Sequence, residues 1–308
     1  MADPGTGPRG SLLVAGRRLE LAGMDHGAVF TAHRSTMLAA AFHITGSRHD
    51  AEDVVQDAWE TWSRADLATV RKPHAFLSVM VSRLALNAVR AQRRRRENYP
   101  DPWLPDPVVE GDSPEWEVLH RDGLGQALDF VLSTLTPEQA AAYVLRKVLD
   151  VDYPSVAEVL ETTPVAARQL VSRAQRAVTS AIGDSLPDQG KRDAEALAKL
   201  ADAVLSGEIE RVAALLAPDA VLYSDGGGKV LAARKPLFGP DRIARFLLGI
   251  STMEEVTIVP AIINGSAGAV FLQDGKATTT VTVRAGAKGV STLCFVRNPD
   301  KLTEISLA

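Results

Sequence analysis

Arg168, Ser172 and Arg176 recur every fourth residue, so on a helix they fall on one face, with Gln169 and Arg173 beside them. Guanidinium forks and a glutamine amide are the groups that pair with base edges in a DNA major groove. Val165, Leu170, Ala174 and Val178 are expected to bury the other side of the same helix. An ordinary solvated helix in a bundle would also carry such a face, but what precedes it argues for more. Leu135-Thr136-Pro137-Glu138 reads as a helix start with proline in its first turn, and Pro154–Leu160 as a short helix. Glu161-Thr162-Thr163 then reads as a tight turn and Pro164–Val178 as a third helix. That order is a helix-turn-helix, whose last helix enters the groove.

A second cationic row lies upstream. Arg83, Asn87, Arg90 and Arg94 are spaced 4, 3 and 4 apart, with Arg93 alongside, and make one polar stripe. Phe76, Met80, Leu84 and Val89 are expected to form the apolar side of this helix, which should start near His74, just after Pro73. A stripe of this kind holds the phosphates of a separated strand while nearby pockets take unstacked bases. Taking a base out of the stack costs a few kcal/mol, so a protein that captures flipped bases shifts a duplex toward opening without ATP. The loop 64–75 before the helix contains no aromatic cluster from which a base pocket could be named. Further upstream, Phe30, Met37, Leu38, Ala41 and Phe42 form an apolar stripe that Gly46 ends. Asp50 then opens an acidic helix, with Asp53 three residues on as in a capping pair.

The elements that must position these groups follow from the rest of the chain. At 308 residues, two or three domains are expected, and 46% apolar with 23% charged residues is ordinary globular composition. The net charge of −4 hides an uneven distribution: residues 24–96 hold 11 Lys+Arg against 7 acids, and 97–127 hold 1 against 8. Residues 164–178 carry three arginines and no acid, so polyanion contacts are local. The single cysteine, Cys294, excludes a disulfide framework and a Cys-based zinc site, and its apolar run marks it as a small core residue. With no apolar run of about 20 residues and no secretory leader, a cytoplasmic protein without membrane contact is expected. Residues 1–23, rich in Gly, Pro and Arg, read as a flexible tail, a foreign extension, or a misplaced start with Met24 as the true one.

Residues 24–96 therefore form a first helical domain, and 97–127, with Pro100, Pro102, Pro105, Pro107 and Pro114, an acidic extended linker. Residues 128–183 form the helix-turn-helix domain. After a linker ending near Gly190 comes a helix at about 191–206, and then the pattern changes. Ala220–Tyr223, Val256–Ile263, Ala269–Gln273, Ala277–Arg284 and Val290–Arg297 read as strands, with Asn264-Gly265 and Asp274-Gly275 as turns. Residues 191–308 are thus an α+β domain. Within it Asp225-Gly226-Gly227-Gly228-Lys229 is a turn requiring positive φ, not a phosphate loop, and Asn298-Pro299-Asp300 also reads as a turn.

The helix-turn-helix, with its Leu135-x-Pro137 lead and Ser172-Arg173-Ala174, resembles region 4 of the extracytoplasmic-function (ECF) sigma factors of RNA polymerase. Asp50-Ala51-Glu52-Asp53-Val54-Val55-Gln56-Asp57-Ala58-Trp59 is similar to region 2.2 of the same family, and Phe76-Leu77 with Arg83, Asn87 and Arg90 to the part that meets the −10 element. The resemblance implies two all-α sigma domains that recruit core RNA polymerase through its β′ and β subunits. Asp50, Asp53, Gln56, Asp57 and Trp59 would dock on β′. Arg83, Asn87, Arg90, Arg93 and Arg94 would bind the −10 element as single strand. Arg168, Gln169, Ser172, Arg173 and Arg176 would read the −35 element as duplex, and the loop 64–75 would read a flipped base. The tail resembles SnoaL-like domains of the NTF2-like cone fold. Three motifs resemble the ECF group whose fused tail regulates the sigma domains in place of a separate anti-sigma protein: Trp103-Leu104-Pro105-Asp106-Pro107 (Asp106 standing where Glu is expected), Asp225–Lys229, and Asn298-Pro299-Asp300-Lys301-Leu302. Trp103, Asp225, Gly226, Gly227, Gly228, Lys229, Asn298, Pro299, Asp300 and Lys301 then carry an interdomain role. No cofactor or metal is implied, and the cone is a candidate site for a small ligand. Two other readings stay open, a helix-turn-helix regulator with a ligand-sensing domain and a SnoaL-type enzyme with a helical module. The second is weakened because all six histidines precede the tail, leaving Asp225 and Asp274 as its candidate bases.

Overall fold

The computed structural model describes residues 25–97, 99–111, 125–182, 188–251 and 256–305. The tail 1–23 and parts of both linkers, 112–124 and 183–187, lie outside the described residues. Helix α1 (His26–Thr45) buries Met37, Leu38, Ala41 and Phe42 and stops at Gly46, whose φ of 68° lets its N–H reach back to the Phe42 carbonyl. Helix α2 (Arg48–Trp62) starts two residues earlier than the Asp50 expectation. Its N-cap is Ser47, whose side chain accepts the Asp50 N–H, so the capping pair Asp50/Asp53 is replaced by a serine cap. Helix α3 (Pro73–Glu97) begins on Pro73, where the missing N–H costs nothing. Trp62 is fully buried among the three helices, and its indole N–H donates to the His26 carbonyl at 2.9 Å.

Residues 99–108 run extended, as the prolines dictate, and Val109 makes a single bridge to Ile263. Helix α4 (Gly125–Thr134) starts inside the range read as linker. Helix α5 (Pro137–Tyr143) carries a complete capping box between Thr136 and Gln139 and continues into a π-helical stretch, Val144–Val148. Helix α6 (Tyr153–Val159) is capped by Asp152, and the turn at Glu161 adopts φ 53° before α7 (Pro164–Ile182). The two helical units do not keep separate cores. Phe42, Leu86 and Val89 of the first belong to one apolar cluster with Leu132, Ala140 and Val156 of the second.

The C-terminal unit comprises α8 (Gln189–Ser206), α9 (Ile209–Ala214), β1 (Leu216–Asp225), β2 (Leu237–Phe238), α10 (Pro240–Ser251), β3 (Thr257–Ile263), β4 (Ser266–Gln273), β5 (Lys276–Gly286), β6 (Gly289–Val296) and α11 (Pro299–Leu302). Its mixed sheet has the order β2-β1-β6-β5-β4-β3, with β1 parallel to β6 and the other pairs antiparallel. Strand β1 begins earlier than the expected Ala220 because a register shift between Leu216 and Val221 absorbs Pro218. Alternation along the strands gives the sheet two buried faces. Val281, Val283, Leu293 and Phe295 pack against α8, α9 and α10, whereas Cys294 and Val296 turn to the face that Leu104 covers. Burial pushes the Cys294 thiol up to about 12, as befits a core residue. No described helix is long and apolar enough to cross a membrane.

Candidate nucleic-acid interface and its link to the C-terminal domain

On α7 the row Ala167, Val171, Ala174 and Val178 is buried, and Arg168, Gln169, Ser172, Arg173 and Arg176 are all exposed. The expected core position Val165 is 61% exposed, because at 100° per residue it falls about 200° from Ala167, on the side of Arg168, Ser172 and Arg176. Leu170 is half-buried. Thr163 caps the helix by accepting the Ala166 N–H at 3.2 Å. The Arg168 guanidinium lies 5.0 Å from the Tyr153 ring centroid, which gives it a defined platform on α6.

On α3 the buried face is Leu77, Val81, Ala85 and Val89, with Arg83 and Asn87 exposed and Arg90 half-buried. Phe76 does not belong to the buried side. At 100° per residue it falls in line with the arginine stripe, and it is 40% exposed, tilted against Trp62 at 5.8 Å between centroids. The stripe therefore includes an aromatic surface that the apolar reading of Phe76 concealed. Arg83 pairs with Glu158 at 3.0 Å, and Arg90 with Glu138 at 3.2 Å and Glu161 at 3.9 Å. The side chains of Arg93 and Arg94 lie outside the described ones, although α3 continues through them.

Helix α2 buries Ala51, Val54, Val55, Ala58 and Trp62, which leaves Asp53, Gln56, Asp57 and Trp59 exposed together. Trp59 leans edge-on against Phe30 at 5.1 Å, and Asp53 is 3.5 Å from His49 one turn earlier. Asp50 does not join that face fully. It is half-buried and accepts the Gln92 amide of α3 at 2.6 Å.

The interdomain motifs meet around one buried lysine. The Lys301 ammonium is 3.0 Å from Asp225, which is fully buried, and 3.6 Å from Asp106. It also donates to the Leu104 carbonyl and lies 3.5 Å from the Trp103 ring centroid. Asp225 accepts the Leu104 N–H at 3.1 Å and the Tyr99 hydroxyl at 2.5 Å, and Asn298 donates its amide to that hydroxyl at 2.8 Å. Burial first, and the Asp225 carboxylate second, hold the Tyr99 phenol well above its ordinary value.

The glycines make this contact close. Asp101 accepts N–H groups from Gly226 and Gly228 at 3.1 and 3.0 Å. A Cβ on Gly227 would stand 2.5 Å from Asn298, and one on Gly228 2.7 Å from Pro100, at φ of 65° and 70°. The triple glycine is thus a turn and also a seat for the linker. Asn298-Pro299-Asp300 is more than the expected turn: Asn298 caps α11 by accepting the Asp300 N–H at 3.1 Å, with Pro299 in the first turn. Lys229 and Asp300 pair at 2.6 Å at the exposed rim, apart from the buried group.

Sequence reading missed Tyr99, Asp101 and the reach of Asp106, although all three sit in the proline-spaced run that contains Trp103. Asp106 accepts the Arg48 N–H of the first turn of α2 at 2.9 Å, and its own N–H donates to the Gly46 carbonyl at 2.9 Å. It is buried, and burial raises its carboxyl above the usual range even though Lys301 and the Arg48 N–H pull it down. Nearby, His43 Nδ1 and Asp129 are 2.6 Å apart, buried between α1 and α4. Asn264, at φ 48° in the β3–β4 turn, donates to Asp129 at 3.3 Å and to the Asp106 carbonyl at 3.2 Å, and accepts the Val108 N–H at 2.6 Å. Two cavities flank this junction, of about 20 Å³ beside His43 and Asp129 and about 10 Å³ beside Leu104 and Cys294. Each is no larger than about one water needs.

Models of sigma-70 region 2 and of sigma-70 region 4 match residues 29–95 and 125–178. The ECF RNA polymerase sigma factor SigJ of Mycobacterium tuberculosis (strain ATCC 25618 / H37Rv) is 35% identical over 290 residues, covering 89% of this chain and 92% of the relative. The probable ECF RNA polymerase sigma factor SigI of Mycobacterium tuberculosis (strain CDC 1551 / Oshkosh) is 30% identical over 154 residues, 49% of this chain and 53% of the relative. The crystal structure of SigJ superposes with a TM-score of 0.72 at 32% identity, covering 92% of this chain and all of that one.

Proposed function

Since the chain belongs to the ECF RNA polymerase sigma factors, which bring core polymerase to promoter DNA, we propose how its surfaces divide that work and how its SnoaL-like domain controls it. Membership favours this reading over the other two, a ligand-sensing regulator and an enzyme with a helical module, since the family supplies specificity to another enzyme. In this reading α7 reads the −35 duplex through Arg168, Gln169, Ser172, Arg173 and Arg176. The α3 stripe holds the −10 strand, with Arg83, Asn87 and Arg90 on phosphates and Phe76 offering a face for an unstacked base. Asp53, Gln56, Asp57 and Trp59 of α2 dock on the β′ subunit, and the α4–α7 unit meets β.

The SnoaL-like domain acts through the linker, in place of a separate anti-sigma protein. The observation that carries this is the chain of contacts Asp225–Lys301–Asp106–Arg48, which runs from β1 to the first turn of the docking helix. A carboxylate at a helix N-terminus favours the helix dipole, so a change in how the linker is seated is felt at α2. For this to regulate, the seating must differ in free energy between the free and polymerase-bound states.

In vitro transcription with core enzyme tests it, comparing the full chain with one lacking residues 191–308 at equal protein level. Promoter output is expected to change several-fold, and Trp103→Ala to reproduce part of the change. Equal output and equal polymerase affinity in the two chains would make the domain a passenger.

A further inference from the structure

The arginine stripe of α3 has acids against it that belong to the other helical unit. Arg83 meets Glu158 near the end of α6, and Arg90 meets Glu138 in the first turn of α5 and Glu161 in the turn between α6 and α7. Three carboxylates on two arginines exceed what local neutralisation requires, and none of them comes from α3 itself. They hold the guanidinium groups in the way strand phosphates would. From this geometry we infer that Glu138, Glu158 and Glu161 form an acidic face that occupies the strand-binding stripe of the same chain, as a competitor for single-stranded DNA. The inference rests on the reading of α3 as the helix that binds the −10 element.

The pairs suit a displaceable contact. Arg83 and Glu158 are 48% and 69% exposed, so water and salt screen them and they hold only weakly. A strand presents a phosphate at every nucleotide and gains from counterion release, so it displaces the acids once polymerase holds the two units apart. Stray single strands that meet the free factor face the competitor instead. The shared apolar core beneath keeps the acids at high effective concentration over the stripe.

Fluorescence anisotropy of the full chain with a labelled single-stranded oligonucleotide, over a salt series, tests this. Glu138→Gln/Glu158→Gln/Glu161→Gln is expected to bind about threefold to tenfold more tightly than a charge-matched chain. The matched chain is Glu195→Gln/Glu208→Gln/Glu210→Gln, changed at exposed acids on and before the helices of the C-terminal domain. The salt slope should steepen by about 1.4, two cations at about 0.7 each. In an Arg83→Ala/Arg90→Ala background the advantage should vanish. Equal gains in the two glutamine chains, or a gain that survives loss of the arginines, would overturn the inference. Promoter opening by Arg83→Ala/Arg90→Ala separates the two levels. If opening falls while the glutamine chains match, only the competitor is lost; if opening is unchanged, the −10 assignment to α3 fails with it.

Discussion

Arg168 and Arg173 differ in support though not in exposure. Arg168 rests on the Tyr153 ring, while no platform of that kind lies under Arg173 among the described residues. A guanidinium paired to a base edge discriminates by about 1–3 kcal/mol. Arg168→Ala or Arg173→Ala should therefore lower transcription from a matched promoter more than from variants altered at one −35 position. A loss uniform across the variants would make that arginine a phosphate contact. Asp106 gives a pH signature. Its folded carboxyl lies above the ordinary aspartate range, chiefly through burial. The folded state therefore holds the proton more tightly than the unfolded one. Its contribution is fully present below the unfolded value and is lost as pH rises through the folded one. The stability gained on going from neutral to mildly acidic pH should shrink in Asp106→Asn, measured as Tm across that range. An unchanged slope would place the titration elsewhere.

Among the elements, α2 was legible from its sequence because its two faces differ in kind. The apolar residues repeat at helical spacing, and Asp53, Gln56 and Asp57 fall between them. Asp53→Lys/Asp57→Lys leaves the buried face intact, so the fold should hold while binding to core polymerase is lost. A pull-down with wild-type affinity would remove the docking role. α3 was legible only in part. Its arginine spacing marked the stripe, but Phe76 was read as core because it is apolar, whereas its angle on the helix places it with Arg83 and Asn87. Val165 on α7 was misjudged for the same reason: side-chain type suggested burial where its angle on the helix places it with Arg168, Ser172 and Arg176.

At the scale of the molecule, the linker is a bound peptide more than a tether. Tyr99, Asp101, Leu104 and Asp106 each hold a partner in another unit, and Lys301 sits where their contacts converge. Removing one member of a buried pair leaves a charge without compensation, typically costing about 3–5 kcal/mol, so Lys301 is a poor place to probe the seat without disturbing the fold. Gly227 is better. Gly227→Ala strains a positive φ and pushes a methyl into Asn298, with a local cost of about 1–3 kcal/mol. It should release residues 99–108 and speed proteolytic cleavage there, with the cores of the helical and sheet units retained. Cleavage at the wild-type rate would show that the glycine seat does not hold the linker.

By itself the sequence determined what depends on local spacing: the helix-turn-helix, the acidic and arginine-bearing helices, five of the strands, and the proline-bound extension between the helical units. Side chains three or four apart on one helix, or alternating on one strand, meet through covalent geometry alone, so their faces can be read without knowing the fold. Contacts across long separations were decided only by the tertiary structure. The seating of Asp101 on the Gly226–Gly228 turn, the junction of His43, Asp129 and Asn264, and the acids of α5 and α6 over the arginines of α3 join residues 48 to 135 positions apart. Their types are ordinary for exposed turns and helix ends, and what makes them partners is the burial of the apolar faces beside them, which no local pattern encodes.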